Sequence, residues 1–243
     1  MSDVQHHTTT SGERIAYRYT SGTGPTLVFL PGYMSDMAGG KASALFAEAE
    51  ALGRACLLLD YSGCGESSGD FADGTLSKWR EEVLALIWEH VPGEVLLVGS
   101  SMGGWLMLLV GEALGEKLVG MIGIASAPDF TTWGRSDADK AKLAAGETVF
   151  DPNPYGPEPT PMHPGFFADG QANLQLSRDI PITCRVHLLH GQRDADVPWQ
   201  TSLALAEALR SDSIQVTLLK DGDHRLSRDE DIALLKSAVA AFY

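Results

Sequence analysis

Short, unbroken apolar runs alternate with longer amphipathic stretches along most of the chain. The runs have the length of strands, and their lack of polar interruption is typical of strands buried on both faces of a parallel sheet. Most of them end at glycine, proline or a polar residue, which are turn signals. The predicted strands span residues 26–30, 55–59, 95–98, 118–125, 186–189 and 214–219, and an alternating strand precedes them at 14–20.

The stretches between these strands carry apolar residues at the three- and four-residue spacing of helices. A regular alternation of strands and helices predicts the α/β class, with a doubly wound, mostly parallel sheet and helices on both of its faces. Ser227 and Glu230 are predicted to form a capping box at the start of the last helix. The clearest other predicted helices span residues 42–52, 76–90 and 105–114.

The alternation stops after Ala127, and no apolar strand is predicted before residue 182. Residues 151–164 alone contain six of the chain's twelve prolines. Loops of this length inside a compact domain are usually lids or binding segments. We therefore predict a sheet domain formed by residues 1–127 and 182–243, with residues 128–181 inserted as a small cap. The cap's large apolar side chains either line a pocket for an acyl or aryl group or attach the cap to the sheet: Trp133, Phe150, Tyr155, Met162, Phe166 and Phe167.

Composition and charge exclude several classes of protein. With 243 residues, 44% of them hydrophobic, the chain forms one globular domain with a large core. Eighteen basic residues against 32 acidic ones give a net charge of −14, which argues against nucleic acid or an anionic membrane as partner. The three cysteines are widely spaced and form no C-x-x-C, so neither a disulfide framework nor a zinc site is predicted. We predict no metal and no cofactor.

The first twelve residues are polar and show neither a secretory signal nor a membrane span. This favours a cytoplasmic protein, which we predict to be a monomer or a weak homodimer. His6 and His7, within this stretch, are predicted to be disordered surface.

One strand–turn–helix junction carries a candidate nucleophile. The strand at 95–98 leads into Gly99-Ser100-Ser101-Met102-Gly103, which fits the pattern G-x-S-x-G. Such a sharp turn holds its central residue in strained backbone geometry, and Cβ atoms at the flanking positions would collide with the strand and the helix. We therefore predict that Ser101 stands exposed at the carboxyl end of the sheet. The adjacent helix N-terminus favours developing negative charge there.

A serine hydroxyl is a poor nucleophile unless a base takes its proton and an acid orients that base. In a doubly wound sheet, functional residues lie on loops at the carboxyl ends of strands. His224 has this position, since it follows the strand at 214–219 and precedes the last helix. His190 also ends a strand, but the Gly191 after it indicates a structural position. His224 is the predicted base.

Candidates for the acid lie on the loop that follows the strand at 186–189, which offers Asp194 and Asp196. Asp223 is a poorer candidate because it is adjacent to His224, and neighbouring side chains tend to diverge. Asp60 ends another strand and is predicted to hold the loop at 61–67 by accepting hydrogen bonds.

An oxyanion formed during acyl transfer needs two backbone N–H donors. The first is predicted to be Met102, immediately after the serine. The second should lie on the loop after the strand at 26–30, where Pro31-Gly32-Tyr33 allows close approach of the backbone. Tyr33 is the predicted second donor.

Four segments together resemble the serine α/β-hydrolases: residues 30–37, 60–67, 99–106 and 189–194. Serine, aspartate and histidine also follow one another in the order expected of that family. The resemblance covers most of residues 25–240 and is greatest to the branch that contains the mitochondrial α/β-hydrolase-domain protein ten, described as an acyl-protein thioesterase and acyl-glucuronide esterase. It implies the α/β-hydrolase fold, with Ser101 as nucleophile, His224 as base and Asp194, rather than Asp196, as acid.

These features predict a metal-free and cofactor-free esterase or thioesterase that acts on a small-molecule ester or thioester through an acyl-enzyme on Ser101. Substrate contacts are predicted at Tyr33, Met34, Trp133 and Phe166. The cap resembles the family least, so the sequence leaves the natural substrate open. Cleavage of carbon–carbon bonds, a peptidase activity on the same residues, and a catalytically silent binding protein of the same fold remain as alternatives.

Overall fold

The computed structural model describes residues 3–154 and 156–243. Within these residues the strands are β1 (Gln5–Thr8), β2 (Arg14–Thr20), β3 (Thr23–Leu30), β4 (Arg54–Leu59), β5 (Val95–Ser100), β6 (Leu118–Ile124), β7 (Val149–Asp151), β8 (Thr160–Met162), β9 (Arg185–Gly191) and β10 (Ile214–Leu219). The helices are α1 (Gly40–Leu52), α2 (Leu76–His90), α3 (Met102–Leu114), α4 (Asp137–Ala144), α5 (Pro164–Ala172), α6 (Gln200–Ala208) and α7 (Asp229–Ala240).

The main sheet of the described chain has eight strands in the order β1-β2-β4-β3-β5-β6-β9-β10. All pairs from β4 to β10 are parallel, whereas β2 pairs antiparallel with both β1 and β4. The central strands β3, β5 and β6 are buried over most of their length, as their apolar sequences predict, and every position of β5 is buried. The predicted α/β-hydrolase fold, with its mostly parallel sheet, is confirmed.

Alternate residues of the central strands face two separate cores. Val95 and Leu97 of β5 pack with α2, α3 and α6, whereas Leu96 and Val98 pack with α1 and α7. Successive side chains of a strand point to opposite faces, so a strand between two helical layers must be apolar at every position. This arrangement places helices on both faces of the sheet, as predicted.

The N-terminal stretch differs from its prediction. His6 and His7 lie in strand β1, which pairs with β2 from Gln5 opposite Tyr17 to Thr8 opposite Arg14. The prediction of disordered surface there was wrong because an edge strand needs backbone pairing but no apolar side chains. Tyr17 Oη also donates a hydrogen bond of 3.0 Å to the Gln5 side chain.

The predicted capping box of the last helix is also displaced by one residue. The N-cap is Arg228 rather than Ser227, and Asp231 rather than Glu230 accepts a hydrogen bond from the Arg228 backbone N–H. The Arg228 guanidinium binds the Asp231 carboxylate as well, and this ion pair fixes the start of α7.

The segment between β6 and β9 holds α4, α5 and an antiparallel hairpin of β7 and β8. The expectation that no apolar strand lies there did not anticipate this hairpin, because strands of only three residues are too short to leave a pattern in the sequence. Hydrogen bonds tie the segment to the sheet domain, including one of 3.0 Å from Trp105 Nε1 to the Asn173 carbonyl. The division at residues 128–181 stays a prediction. Tyr155 lies outside the described residues.

Asp60 holds two loops near the carboxyl end of the sheet. Its carboxylate accepts hydrogen bonds from the N–H of Glu66, at 2.9 Å, and of Met37, at 2.7 Å. The first bond confirms that Asp60 fixes the loop that follows it. The second connects it to the loop that carries Tyr33. Burial raises the pKa of this carboxyl, while the two N–H donors oppose the rise.

We expect Asp60→Ala to lower the free energy of unfolding by about 2–4 kcal/mol, since each buried N–H left without an acceptor costs about 1–3 kcal/mol. Urea denaturation measures this difference. Asp73→Ala removes an exposed carboxylate from the same region and should change stability by less than about 0.5 kcal/mol. Equal effects of the two substitutions would contradict the role of Asp60.

Candidate active site

Ser101 lies in a strained turn between β5 and α3. Its backbone has φ 55° and ψ −120°, a left-handed conformation that non-glycine residues rarely adopt. The flanking glycines allow this turn. A Cβ on Gly99 would lie 2.4 Å from the Gly103 carbonyl oxygen, and one on Gly103 would lie 2.1 Å from that of Leu30. The turn therefore has the predicted geometry, with the loop after β3 pressed against the start of α3.

His224 connects this serine to Asp194. Nε2 of His224 lies 3.1 Å from Ser101 Oγ, and Nδ1 lies 2.8 Å from Asp194 Oδ2. The loops after β5, β9 and β10 bring the three side chains together at the carboxyl end of the sheet, although 123 positions separate Ser101 from His224 in the sequence. With a proton on Nδ1, the imidazole donates to the carboxylate and can accept from the serine hydroxyl.

Asp194 is held by more groups than His224 alone. Nε2 of the fully buried His190 lies 3.1 Å from the same oxygen, and the N–H groups of Asp196 and Val197 donate to Oδ1. Burial of this carboxyl alone would raise its pKa, but the hydrogen bonds from His190 and His224 and the charge of His224 hold the pKa well below its usual range. Asp194 is thus a fixed, charged acceptor.

His224 Nδ1 contacts Asp194 rather than either of the other candidate acids. The exposed Asp196 has a carboxylate oxygen within 4.8 Å of the ligand atoms of Asp194 and His224, and its backbone N–H donates to Asp194. Asp223 Oδ1 accepts from the N–H of Leu226 within its own loop. His190, predicted to be structural, also donates to or accepts from Ser202 Oγ at 2.7 Å, so its contact with Asp194 is a feature that sequence reasoning missed.

The predicted oxyanion donors border the serine. Met102 is the first residue of α3, and Tyr33 follows Gly32, where a Cβ would lie 3.4 Å from Ser101 Cβ. Both residues line a cavity of about 310 Å³ that also reaches Ser101 and His224. Their role as backbone N–H donors to an oxyanion stays a prediction.

Two of the four predicted substrate contacts reach this cavity. Tyr33 and Trp133 line it, whereas Met34 and Phe166 do not. Phe166 is 1% exposed and packs against Tyr33 and Trp79, so it attaches the segment between β6 and β9 to the core. Met34 is 51% exposed because the turn after Tyr33 points it away. The lining contains further residues that the sequence did not single out: Ala127, Phe130, Gly134, Arg135, Asp139, Asp151 and Val197.

The cavity wall includes an ion pair within the segment between β6 and β9. Nη1 of Arg135 donates to Asp151 at 2.9 Å, and Nη2 donates to the second carboxylate oxygen. The Arg135 side chain is 8% exposed. This pair joins the segment before α4 to the β7–β8 hairpin, and neither residue belongs to a motif that would have revealed it.

One group of side chains among the described residues is close enough to share a metal ion. It consists of Asp194, Asp196 and His224, whose ligand atoms lie within 4.8 Å of one another. Two of the three already hydrogen bond to each other, and an ion would have to displace that bond. The predicted absence of a metal stays a prediction.

Comparison with known proteins identifies the family. The sequence profile described as "Alpha/beta hydrolase family" matches residues 27–235. The chain belongs to the alpha/beta hydrolase family. Among its relatives is the human protein named palmitoyl-protein thioesterase ABHD10, mitochondrial, with 39% identity over 91% of this chain and 74% of that protein. The mouse protein of the same name has 40% identity over 91% of this chain and 76% of its own length.

Solved structures of similar proteins agree with the assignment of this chain to the hydrolase family. A putative hydrolase from Agrobacterium vitis S4 superposes with a TM-score of 0.92 at 38% identity, over 99% of both chains. Mouse alpha/beta hydrolase domain-containing protein 10 superposes with a TM-score of 0.91 at 36% identity, over 99% of this chain and 98% of that one. The resemblance of the sequence to this branch is thereby confirmed, as is the prediction of an ester or thioester hydrolase.

The comparison corrects one prediction for the hydrolase. The cytoplasmic setting inferred from the polar N-terminal residues is wrong, because the curated relatives are named as mitochondrial proteins. A polar stretch at the start of the sequence carries too little information to decide a compartment. In the described residues, no helix has both the length and the apolar character needed to cross a membrane.

Proposed function

We propose that this hydrolase cleaves acyl esters and thioesters through a covalent acyl-enzyme on Ser101. The observation that carries the proposal is the continuous contact from Ser101 Oγ through His224 to Asp194, with separations of 3.1 and 2.8 Å. Groups within hydrogen-bond reach of each other in this order are what serine activation requires.

In the proposed reaction, His224 Nε2 takes the hydroxyl proton while Ser101 Oγ attacks the acyl carbonyl carbon. The charge that develops on the carbonyl oxygen is stabilised by the N–H groups of Met102 and Tyr33. His224 then gives its proton to the departing alcohol or thiol. It next activates water, which releases the acid and restores the serine. Asp194 keeps the imidazole in the required tautomer and stabilises its cation.

For the substrate, we propose a fatty-acyl thioester on a protein cysteine. The relatives at 39–40% identity are named palmitoyl-protein thioesterases. Tyr33, Phe130 and Trp133 contribute apolar surface suited to an acyl chain, whereas Arg135, Asp139 and Asp151 make another part of the lining polar. Its volume of about 310 Å³ is at the lower end of the range of roughly 300–1,000 Å³ for ligand sites. The distal part of a long chain therefore lies outside it.

One peptide acylated in three ways tests the proposal. The acyl group is attached through cysteine, through serine, or as an amide, with chains of four, eight and sixteen carbons. We expect hydrolysis of the thioester and the ester, and cleavage of the amide at least about 100-fold more slowly. An amine is a poorer leaving group than a thiol or an alcohol unless it is protonated as the bond to carbon breaks. Release of the peptide is followed by chromatography.

Two outcomes contradict the proposal. Comparable cleavage of the amide identifies a peptidase-like activity instead. No cleavage of any peptide, combined with no labelling by a fluorophosphonate probe, identifies a silent binding protein on the same fold.

A further inference from the structure

The loop that carries His224 is bound by a lysine from the N-terminal part of the chain. Lys41, the second residue of α1, donates a hydrogen bond from Nζ to the carbonyl oxygen of Arg225. That carbonyl belongs to the residue directly after His224, and 184 positions separate the two partners in the sequence. Helix α1 therefore contacts the His224 loop, residues 220–228, at a point adjacent to the proposed base.

This loop is strained where the lysine holds it. Leu226 has φ 41°, a left-handed conformation that is unfavourable for a residue with a branched side chain. Its side chain is only 4% exposed and packs beside Lys41. The N–H of Leu226 donates to Asp223 at 2.9 Å, which closes a tight turn around Arg225. A strained conformation persists only when its surroundings hold it in place.

We propose that Lys41 is a positioning residue for His224: by binding the Arg225 carbonyl, it fixes the His224 loop in the conformation that places the imidazole between Ser101 and Asp194. The inference rests on the proposed role of His224 as the base. Helix α1 places no side chain in the proposed reaction. Through Lys41 it nevertheless contributes to turnover.

The surroundings of the ammonium group explain why its charge matters. Apolar side chains of β6, β9 and β10 lie against Lys41. The charged groups that face it are Arg225 and Asp223 from the loop and Asp231 from α7, which is itself bound to Arg228. Burial lowers the pKa of Lys41 to about 8, with a further contribution from Arg225, while Asp223 and Asp231 oppose the shift.

The direction of the pH effect follows from this shift. Below pH 8 the ammonium is charged, and a charged donor binds a carbonyl more strongly than a neutral one. Above pH 8 the amine is neutral and its hydrogen bond to Arg225 weakens. Turnover should therefore fall as the pH rises through about 8, in addition to any effect of His224.

Substitution of Lys41 separates positioning from packing. We expect Lys41→Met to lower kcat about tenfold with KM changed by less than about twofold, because a displaced base affects the chemical step rather than binding. Lys41→Arg keeps the charge and the donor and should retain most of kcat. Lys236→Met is the matched control: it removes the lysine of α7 that pairs with Glu48 of α1 at 3.0 Å and that has no hydrogen bond or ion pair with the His224 loop in the described part of the chain. It should behave like the wild type.

The pH profile gives a second, independent readout. The wild type should lose kcat with a midpoint near pH 8, Lys41→Arg should not, and Lys41→Met should be low at all pH values. If Lys41→Met does not fold, Lys41→Ala, which also removes the N–H donor and the charge, replaces it in the same comparison. Wild-type kcat in a folded Lys41→Met or Lys41→Ala variant, or an equal loss in Lys236→Met, overturns the inference.

Failure of this inference is distinguishable from failure of the proposed function. If the wild type neither hydrolyses esters nor reacts with a fluorophosphonate, the proposed function is wrong. If the wild type is active and the Lys41 variants match it in kcat and in labelling rate, only the role of Lys41 is wrong.

Discussion

Replacing Ser101 with alanine is expected to lower kcat for ester and thioester hydrolysis by about 10⁴–10⁶, since removal of the nucleophile from a serine hydrolase leaves only the contribution of the oxyanion donors and of binding. His224 would then have no hydroxyl to deprotonate. A nitrophenyl ester assay measures the loss. Reaction with a fluorophosphonate probe, which requires the serine oxygen, should disappear at the same time.

Ser100 provides the matched control for this substitution. It is the last residue of β5, directly before Ser101, and is 8% exposed. Ser100→Ala should keep kcat within about threefold of the wild type and should still react with the probe, because the serine within hydrogen-bond distance of His224 is Ser101. Retained activity in Ser101→Ala, or loss of labelling in Ser100→Ala alone, would show that the wrong serine has been assigned.

Asp194→Asn should produce the second largest loss, about 10⁴-fold in kcat, as the same change does in the serine proteases. The amide N–H₂ group can replace Oδ2 opposite His224 Nδ1, and a donor there forces the imidazole into the tautomer that cannot accept the serine proton. The circular dichroism spectrum should remain that of the wild type, because Oδ1 still accepts from Asp196 and Val197.

Asp196→Asn tests the alternative acid on the same loop. Its carboxylate is exposed, and its link to Asp194 runs through the backbone N–H, which the substitution preserves. We expect a change in kcat of less than about fivefold, in line with the small effects of exposed substitutions. A larger loss in Asp196→Asn than in Asp194→Asn would reverse the assignment of the acid.

The central sheet was predictable because its strands are apolar over most of their length. Burial on both faces favours apolar side chains throughout a strand such as β5. The six predicted parallel strands are present in the structure, with their ends shifted by at most a few residues. Strand β1 and the β7–β8 hairpin were not predictable, since their stability comes from backbone pairing and from neighbours that are distant in sequence.

The candidate site divides in the same way. Ser101 belongs to a turn whose glycines are required by contacts of 2.1–2.4 Å, so the local sequence carries the signal. His224 follows from strand ends and chain order, which leave Asp194 and Asp196 as alternatives for the acid; the resemblance to the serine α/β-hydrolases favours Asp194. The pair of Arg135 and Asp151, the exclusion of Phe166 from the cavity, and the contact of His190 with Asp194 depend on how the cap packs, which no local pattern encodes.

Strand β1 bears on the behaviour of the protein in concentrated solution. An open sheet edge offers unpaired N–H and C=O groups to any other chain, which makes it a starting point for aggregation. In this protein the edge of β2 is occupied by four residues, Gln5 to Thr8, that carry only polar side chains and are mostly exposed. A short, polar, hydrated strand at this position discourages edge-to-edge association, so the least apolar strand of the sheet contributes to solubility.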